Sequence, residues 1–341
     1  MKNLSVPYNQ DPALVDFYIE HKDRIYDMYF PAHPSVFRPS ARMFNSKLNE
    51  EEHAKSMGEI CRKLTIANIK PVLLFNGNNK YGMITESEIS RLDNYLTFLI
   101  IHGLETVVVS DPFLIPFFKY DYPELKVRSS VLFDVYNVDK VKQLEKLGID
   151  EICLKNDLCR DMKTLRKIRA STSKQLSVIC NTTCTYSCAF YQAHHAIMSV
   201  VNPSNEEIEY IAAHNNLLNH VREGINMIKC PFIRPEDLWY YEDCINVFKL
   251  EGRQRPTEEA IMYALPYINR KTPKEGILSI VTPSCGMNIF LSKMKMDIPD
   301  GFVEKVANCD RDCDNCRYCD NIVDHYTMHD LQSAANNLIQ E

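Results

Sequence analysis

The feature that most constrains this chain is an alternation. Eight short β-rich stretches, at 4–8, 25–31, 70–76, 106–111, 126–133, 151–155, 175–181 and 247–252, are separated by longer segments. Those at 11–22, 49–67, 87–103, 137–147 and 160–171 carry helical periodicity. Strand and helix in alternation mean βαβ units, because two parallel strands need a crossover long enough to bring the chain back to the same edge. Eight units predict a (β/α)8 TIM-like barrel, although a doubly wound sheet has a similar local pattern. The expected boundaries are a barrel over 1–270, an insertion at 181–246 after the seventh strand, and a small C-terminal extension over 271–341.

Within that frame the cysteines are unevenly placed. Of 13, three form Cys180-x3-Cys184-x3-Cys188 with Cys230 further on, and four form Cys309-x3-Cys313-x2-Cys316-x2-Cys319. The chain begins MKNLSVPYNQ, without an apolar leader, and has no apolar stretch long enough to cross a bilayer, so a cytoplasmic protein with no membrane span is expected. In a reducing compartment clustered thiols bind metals or react more often than they crosslink. Zinc sites usually join two short-spaced pairs across a loop, whereas the last array is one continuous run of four thiols within eleven residues. That run predicts an iron–sulfur cluster, with zinc as the competitor.

Composition narrows the function classes. Apolar residues at 45% of 341 are enough for a full core. A net charge of −6, from 39 basic and 45 acidic residues, excludes a surface built throughout for nucleic acid. No internal repeat and no low-complexity segment is present.

In a barrel the functional groups gather where strands end. Asn76, Asp111 and Lys155 follow three such ends and are candidate substrate-binding residues, together with Arg234 from the insertion; Arg38 and Arg42 are further guanidinium candidates. Glu251 and Arg253, at the end of the eighth stretch, and His194 and His195, just beyond Cys188, are the candidate catalytic groups. The bland readings are an ion pair bracing the last strand and hydrogen-bonded loop histidines. Cys180, Cys184 and Cys188 can bind three irons, with Cys230 as the fourth ligand or with one iron left open. Cys61, Cys153, Cys159, Cys244 and Cys285 share no spacing and read as core or surface thiols. The x3, x3 spacing and its place after the seventh strand do not match radical S-adenosylmethionine enzymes, and no H-E-x-x-H is present.

Three segments, VICNTTCTYSCAFY, CPFIRPEDLWYY and FKLEGR, resemble the collagenase-like peptidase family (the U-type peptidases of unknown mechanism) over about residues 4 to 270. The resemblance implies a barrel in which Cys180, Cys184, Cys188 and Cys230 hold a four-iron cluster and Glu251 and Arg253 line the same cavity. It implies oxygen-independent hydroxylation of a ubiquinone precursor ring or of RNA bases, with prephenate as oxygen source, and a same-family partner in a hetero-oligomer. Two departures mark a divergent branch: the first three cysteines are compressed, and the array at Cys309 to Cys319 is absent from the usual pattern.

The expectation is therefore an iron–sulfur enzyme of anaerobic metabolism with two clusters, each four-iron, that hydroxylates or otherwise modifies a small, aromatic, RNA or peptide substrate. The C-terminal cluster would relay electrons from a donor or staple a tail with little core of its own. A non-catalytic electron-transfer or scaffold subunit, and sulfur transfer at an open iron, are the alternatives. No residue pattern speaks for proteolysis.

Overall fold

The computed structural model describes residues 2–36, 48–77, 85–182, 184–200, 203–222, 226–274, 276–281 and 298–324. Eight parallel strands, β1 (Leu4–Pro7), β2 (Ile25–Pro31), β3 (Lys70–Phe75), β4 (Thr106–Val109), β5 (Lys126–Ser129), β6 (Glu151–Cys153), β7 (Gln175–Ile179) and β8 (Val247–Lys249), pair in chain order. They close on themselves when β8 pairs with β1. The predicted (β/α)8 barrel is therefore the fold, and all eight predicted stretches contain a strand.

Helices α1 (Pro12–Glu20), α2 (Glu50–Ile66), α3 (Glu86–Ile101), α4 (Leu114–Asp121), α5 (Val138–Lys146) and α6 (Met162–Ser171) fill the crossovers between the first seven strands. Local chemistry starts them. Asn49 with Glu52, and Thr85 with Glu88, form reciprocal capping boxes at α2 and α3, which satisfy backbone N–H groups that a helix leaves open. α2 then turns Met57, Ile60, Cys61 and Leu64 inward at helical spacing. Between β7 and β8 the insertion carries α7 (Tyr191–Ile197) and α8 (Asn205–Arg222), and α9 (Thr257–Asn269) follows β8.

Apart from β2, which spans the expected 25–31, the strands are shorter than the sequence implied, at the end that feeds the loops. The stretch 126–133 stops at Ser129 because the Ser130 hydroxyl accepts from the Leu132 amide at 3.3 Å and starts a 3-10 turn at Val131–Phe133. After β6 the chain enters a second such turn, Asn156–Arg160.

Period-two alternation along each strand separates two cores. Outward residues such as Leu73, Val107, Val127 and Phe248 join the helices in one large apolar cluster. Inward residues Tyr29, Val72, Leu74 and Val108 form a small cluster of their own inside the barrel. Below it the lumen is polar and sealed. Arg128 of β5 donates from Nη2 to Asp27 of β2 and from Nε to Glu151 of β6, both at 2.6 Å, and all three side chains are buried. The Ser5 hydroxyl of β1 donates to Asp27, and Tyr26, which donates to Gln175 at 2.8 Å, lies beside Glu151.

The C-terminal extension adds α10 (Phe302–Ala307), a helical turn α11 (Cys313–Cys316) and α12 (Tyr318–Asp324). Phe302 is buried, its ring stacked with Phe232 of the insertion at 6.2 Å and with Tyr318 at 6.3 Å. Among the described residues no helix is long and apolar enough to cross a membrane.

Two stability outcomes follow. Replacing Arg128 by Met strands two buried carboxylates, so urea unfolding of Arg128→Met is expected to show a loss of about 3–5 kcal/mol. Burial, with His33 adjacent, pushes the imidazole of His53 down to about 3. The folded protein thus keeps it neutral while the unfolded chain protonates it near pH 6.5, roughly its ordinary value. Its contribution is complete above that pH and falls by up to about 1.4 kcal/mol per pH unit as the pH drops from about 6.5 toward 3. His53→Phe is expected to flatten that part of the stability–pH curve, measured by thermal unfolding from pH 4 to 8.

Candidate functional site

Where the strands end, the lumen opens. Lys249 is the last residue of β8, in register with Ser5 of β1 and Ile179 of β7, so its side chain enters the barrel. The ammonium lies 4.1 Å from the centroid of the Tyr29 ring, and the Tyr29 hydroxyl donates to the Leu250 carbonyl at 2.6 Å. Burial lowers the Lys249 pKa, against the pull of Cys153, Asp27 and Glu251. Cys153 of β6 points the same way, and burial raises its thiol pKa. Lys155 follows on β6 and is paired with Asp134 at 3.0 Å and Asp157 at 3.2 Å. Burial opposes its charge, yet those carboxylates raise its pKa overall. Tyr191 of α7 covers this side, with the Lys155 ammonium 5.8 Å from its ring centroid and Cys184, Cys153 and Glu251 in its surroundings.

Glu251 is placed by the backbone. Asn181, just after β7, accepts from the Glu251 amide at 2.7 Å and donates to its carbonyl at 3.0 Å, which locks the two strand ends together. Gly252 follows with φ +135°, a conformation that side-chain-bearing residues rarely adopt, and so lets the chain turn out of the barrel before Arg253.

The first cysteine set begins just past β7. Cys180 is outward-facing, in the layer packed by α9; its thiol contacts the Lys249 carbonyl at 3.4 Å, and the Tyr267 hydroxyl donates to its own carbonyl at 3.3 Å. Cys230 is buried, and Cys184 and Cys188 are half-buried. Among the described residues no group of three or more His, Cys, Asp or Glu is drawn together as a ready metal site.

The second set lines one open hollow, although it too falls short of a ready metal site: Cys309, Cys313, Cys316 and Cys319 border it with Lys229, Lys305 and Tyr318. The Arg311 amide donates to the Cys309 sulfur at 3.4 Å. Arg311 and Arg317 both have positive φ, which turns the backbone tightly enough to bring successive cysteines to one side. The array is tied to the insertion through Asn226, which donates to the Cys319 carbonyl at 2.9 Å, and through Lys229 and Asp320 at 2.7 Å.

Beside Cys230 and Cys319 lies Arg160, which no sequence pattern singles out. It is buried at 2% exposure, and Nη2 donates to the carbonyls of Ile228 at 3.2 Å and Cys230 at 2.6 Å. Its Nε and Nη1 have no hydrogen-bond partner among the described residues. Burial works against its charge, and the groups that favour it are Tyr241, Cys319, Cys159 and Cys230, with no carboxylate among them.

The other expected residues are placed as follows. Arg234 pairs with Asp237 through Nη2 at 3.0 Å and lies 5.4 Å from the Phe302 centroid, so it anchors the extension. His194 and His195 pack in an aromatic group with Tyr191 and His214. Asp111 accepts from the Phe113 amide at 3.0 Å at the entrance to α4, and Asn76 is half-buried just past β3. Arg38, Arg42 and Cys285 lie outside the described residues. Sequence reasoning missed Lys249, Cys153, Tyr29 and Arg160. The signal for the first was period two, since Lys249 and Glu251 sit two apart in FKLEGR and share a side.

The family model for peptidase family U32 matches residues 36–193. An uncharacterized protease of Methanocaldococcus jannaschii is 26% identical over 258 residues, covering 74% of this chain and 75% of its own. A solved U32 peptidase superposes with a TM-score of 0.54 at 18% identity, over 75% of this chain and 95% of its own, which supports the fold.

Gly252→Ala is expected to cost about 1–3 kcal/mol, because an L side chain must hold a φ reserved for glycine. Equilibrium urea unfolding measures it, and a change below 0.5 kcal/mol, roughly the neutral range for surface positions, would contradict the strain argument.

Proposed function

We propose that this relative of peptidase family U32 is a barrel enzyme carrying an iron–sulfur centre at Cys309, Cys313, Cys316 and Cys319, with its substrate received at the barrel mouth. The observation that supports the centre most directly is Arg160. A guanidinium buried without a carboxylate costs several kcal/mol, and two of its nitrogens, Nε and Nη1, have no hydrogen-bond partner among the described residues. Four neutral thiols do not offset that charge. Four thiolates around a metal carry net negative charge and do.

The residues of the array fit such a group. Thiolate donors suit iron and zinc alike, and the four line one hollow. The continuous run favours iron–sulfur over zinc. Burial raises the Cys319 pKa, so this thiol ionises when something stabilises its charge, and Arg160 heads the groups that do. Cys180, Cys184, Cys188 and Cys230 fit less well as found, with the Cys180 thiol turned out of the lumen, and no step is placed on them.

When bound, an iron–sulfur centre supplies single electrons. The chain's own part is to hold charge and exclude water. Arg160 and Lys229 balance the thiolates, and stacked Phe232, Phe302 and Tyr318 keep the inner side dry. The Asn156–Arg160 turn leaves β6 at the mouth, so the array sits beside the open end of the barrel. The reaction class we attach to this arrangement is oxygen-independent hydroxylation or a related redox modification, with an external electron donor as partner. Proteolysis is suggested by the names of the relatives, and the sequence carries no H-E-x-x-H motif for it.

Anaerobically purified protein is expected to hold about four irons and four acid-labile sulfides at this array and to give a paramagnetic signal on dithionite reduction. Cys313→Ser with Cys316→Ser is expected to remove that signal, and Arg160→Leu to lower iron content several-fold. Stoichiometric zinc without sulfide would overturn the iron–sulfur assignment.

A further inference from the structure

Lys249 is unlike the other lysines near the barrel. Lys155 holds two carboxylates, Lys119 holds Asp150, Lys229 holds Asp320, and Lys70 donates to the Tyr26 hydroxyl. Among the described residues, Lys249 has only the face of Tyr29, at 4.1 Å. The charged and titratable groups around it come from several strands: Asp27 of β2, Arg128 of β5, Cys153 of β6 and Glu251 beyond β8. Asp27 is already committed, since it takes the Arg128 guanidinium at 2.6 Å and the Ser5 hydroxyl. The residue is half-buried at the end of β8, where the strands open into the loops.

From this geometry we propose that Lys249 is a reactive amine of the barrel mouth that captures a small carbonyl compound, an aldehyde or a 2-oxo acid, as an imine. An ammonium in a partly dry lumen with no oxygen acceptor is poorly solvated, and the aromatic face replaces only part of its hydration. The neutral amine is favoured accordingly, and burial lowers the pKa in the same sense. The nitrogen lone pair attacks the carbonyl carbon, a C–N bond forms, and the carbonyl oxygen leaves as water with the two amine hydrogens. No oxidant or reductant is needed. Glu251, two residues along the same side, is placed to carry the proton between nitrogen and the departing oxygen.

The inference rests on the lumen alone and stands or falls separately from the metal centre. Its test is reductive trapping of the full chain with glyoxylate and cyanoborohydride at pH 7, followed by peptide mapping. Lys249 is expected to be modified at least about tenfold faster than exposed Lys55, the factor that corresponds to one unit of pKa. Lys249→Arg, with its fold checked by circular dichroism, is expected to lose that fast phase and leave the labelling of other lysines unchanged. Modification of Lys249 at the same rate as Lys55 or slower in the wild-type chain would overturn the proposal, whatever the iron content of the same preparation.

Discussion

Everything at the mouth of this barrel is set by the ion group below it. Arg128 joins Asp27 and Glu151 across the lumen, so three strands that are not all neighbours in the sheet are tied through their side chains. A buried guanidinium is tolerated there because two carboxylates share it at 2.6 Å and Ser5 completes the coordination of Asp27. Such a polar floor stands where barrels usually place branched apolar residues. It fixes the level from which Tyr29, Cys153 and Lys249 rise, and it uses up the acidic groups that would otherwise pair with Lys249.

A second buried arginine shows the opposite situation. Arg160 is as deeply enclosed as Arg128 but has carbonyls and cysteines for neighbours instead of carboxylates. The contrast between the two makes the cysteine array informative. In one place the fold supplies the counter-charge from its own carboxylates, and in the other the groups around the guanidinium are Tyr241, Cys319, Cys159 and Cys230. The extension is held to the barrel by the same neighbourhood, since the Phe302 ring is flanked by both Arg160 and Arg234 at 5.3 and 5.4 Å.

How much could be read beforehand differs between the fold and the site. The eight strands were legible because parallel, doubly covered strands are continuous apolar runs between helices of clear period. The array at Cys309 to Cys319 was legible because its spacing is local. The surroundings of Arg234 and His194 were not, since the first lies against Phe302 and the second stacks with His214, neighbours remote in sequence. Cys153 was passed over for the same reason: nothing local distinguishes an inward thiol on β6 from the outward Cys180 on β7.

By itself, then, the sequence determined the order of strands and helices, the position of the insertion and the one compact set of thiols, while the β8–β1 pairing that closes the barrel came from the structure. The former follow from periodicity and short-range spacing, which the chain carries locally. Only the tertiary structure decided which face of each strand looks into the lumen, that Lys249 has the Tyr29 ring and no oxygen partner among the described residues, and that Arg160 is buried beside Cys230 and Cys319. Those are properties of the space between elements, where charge, burial and partner geometry are contributed by residues far apart along the chain.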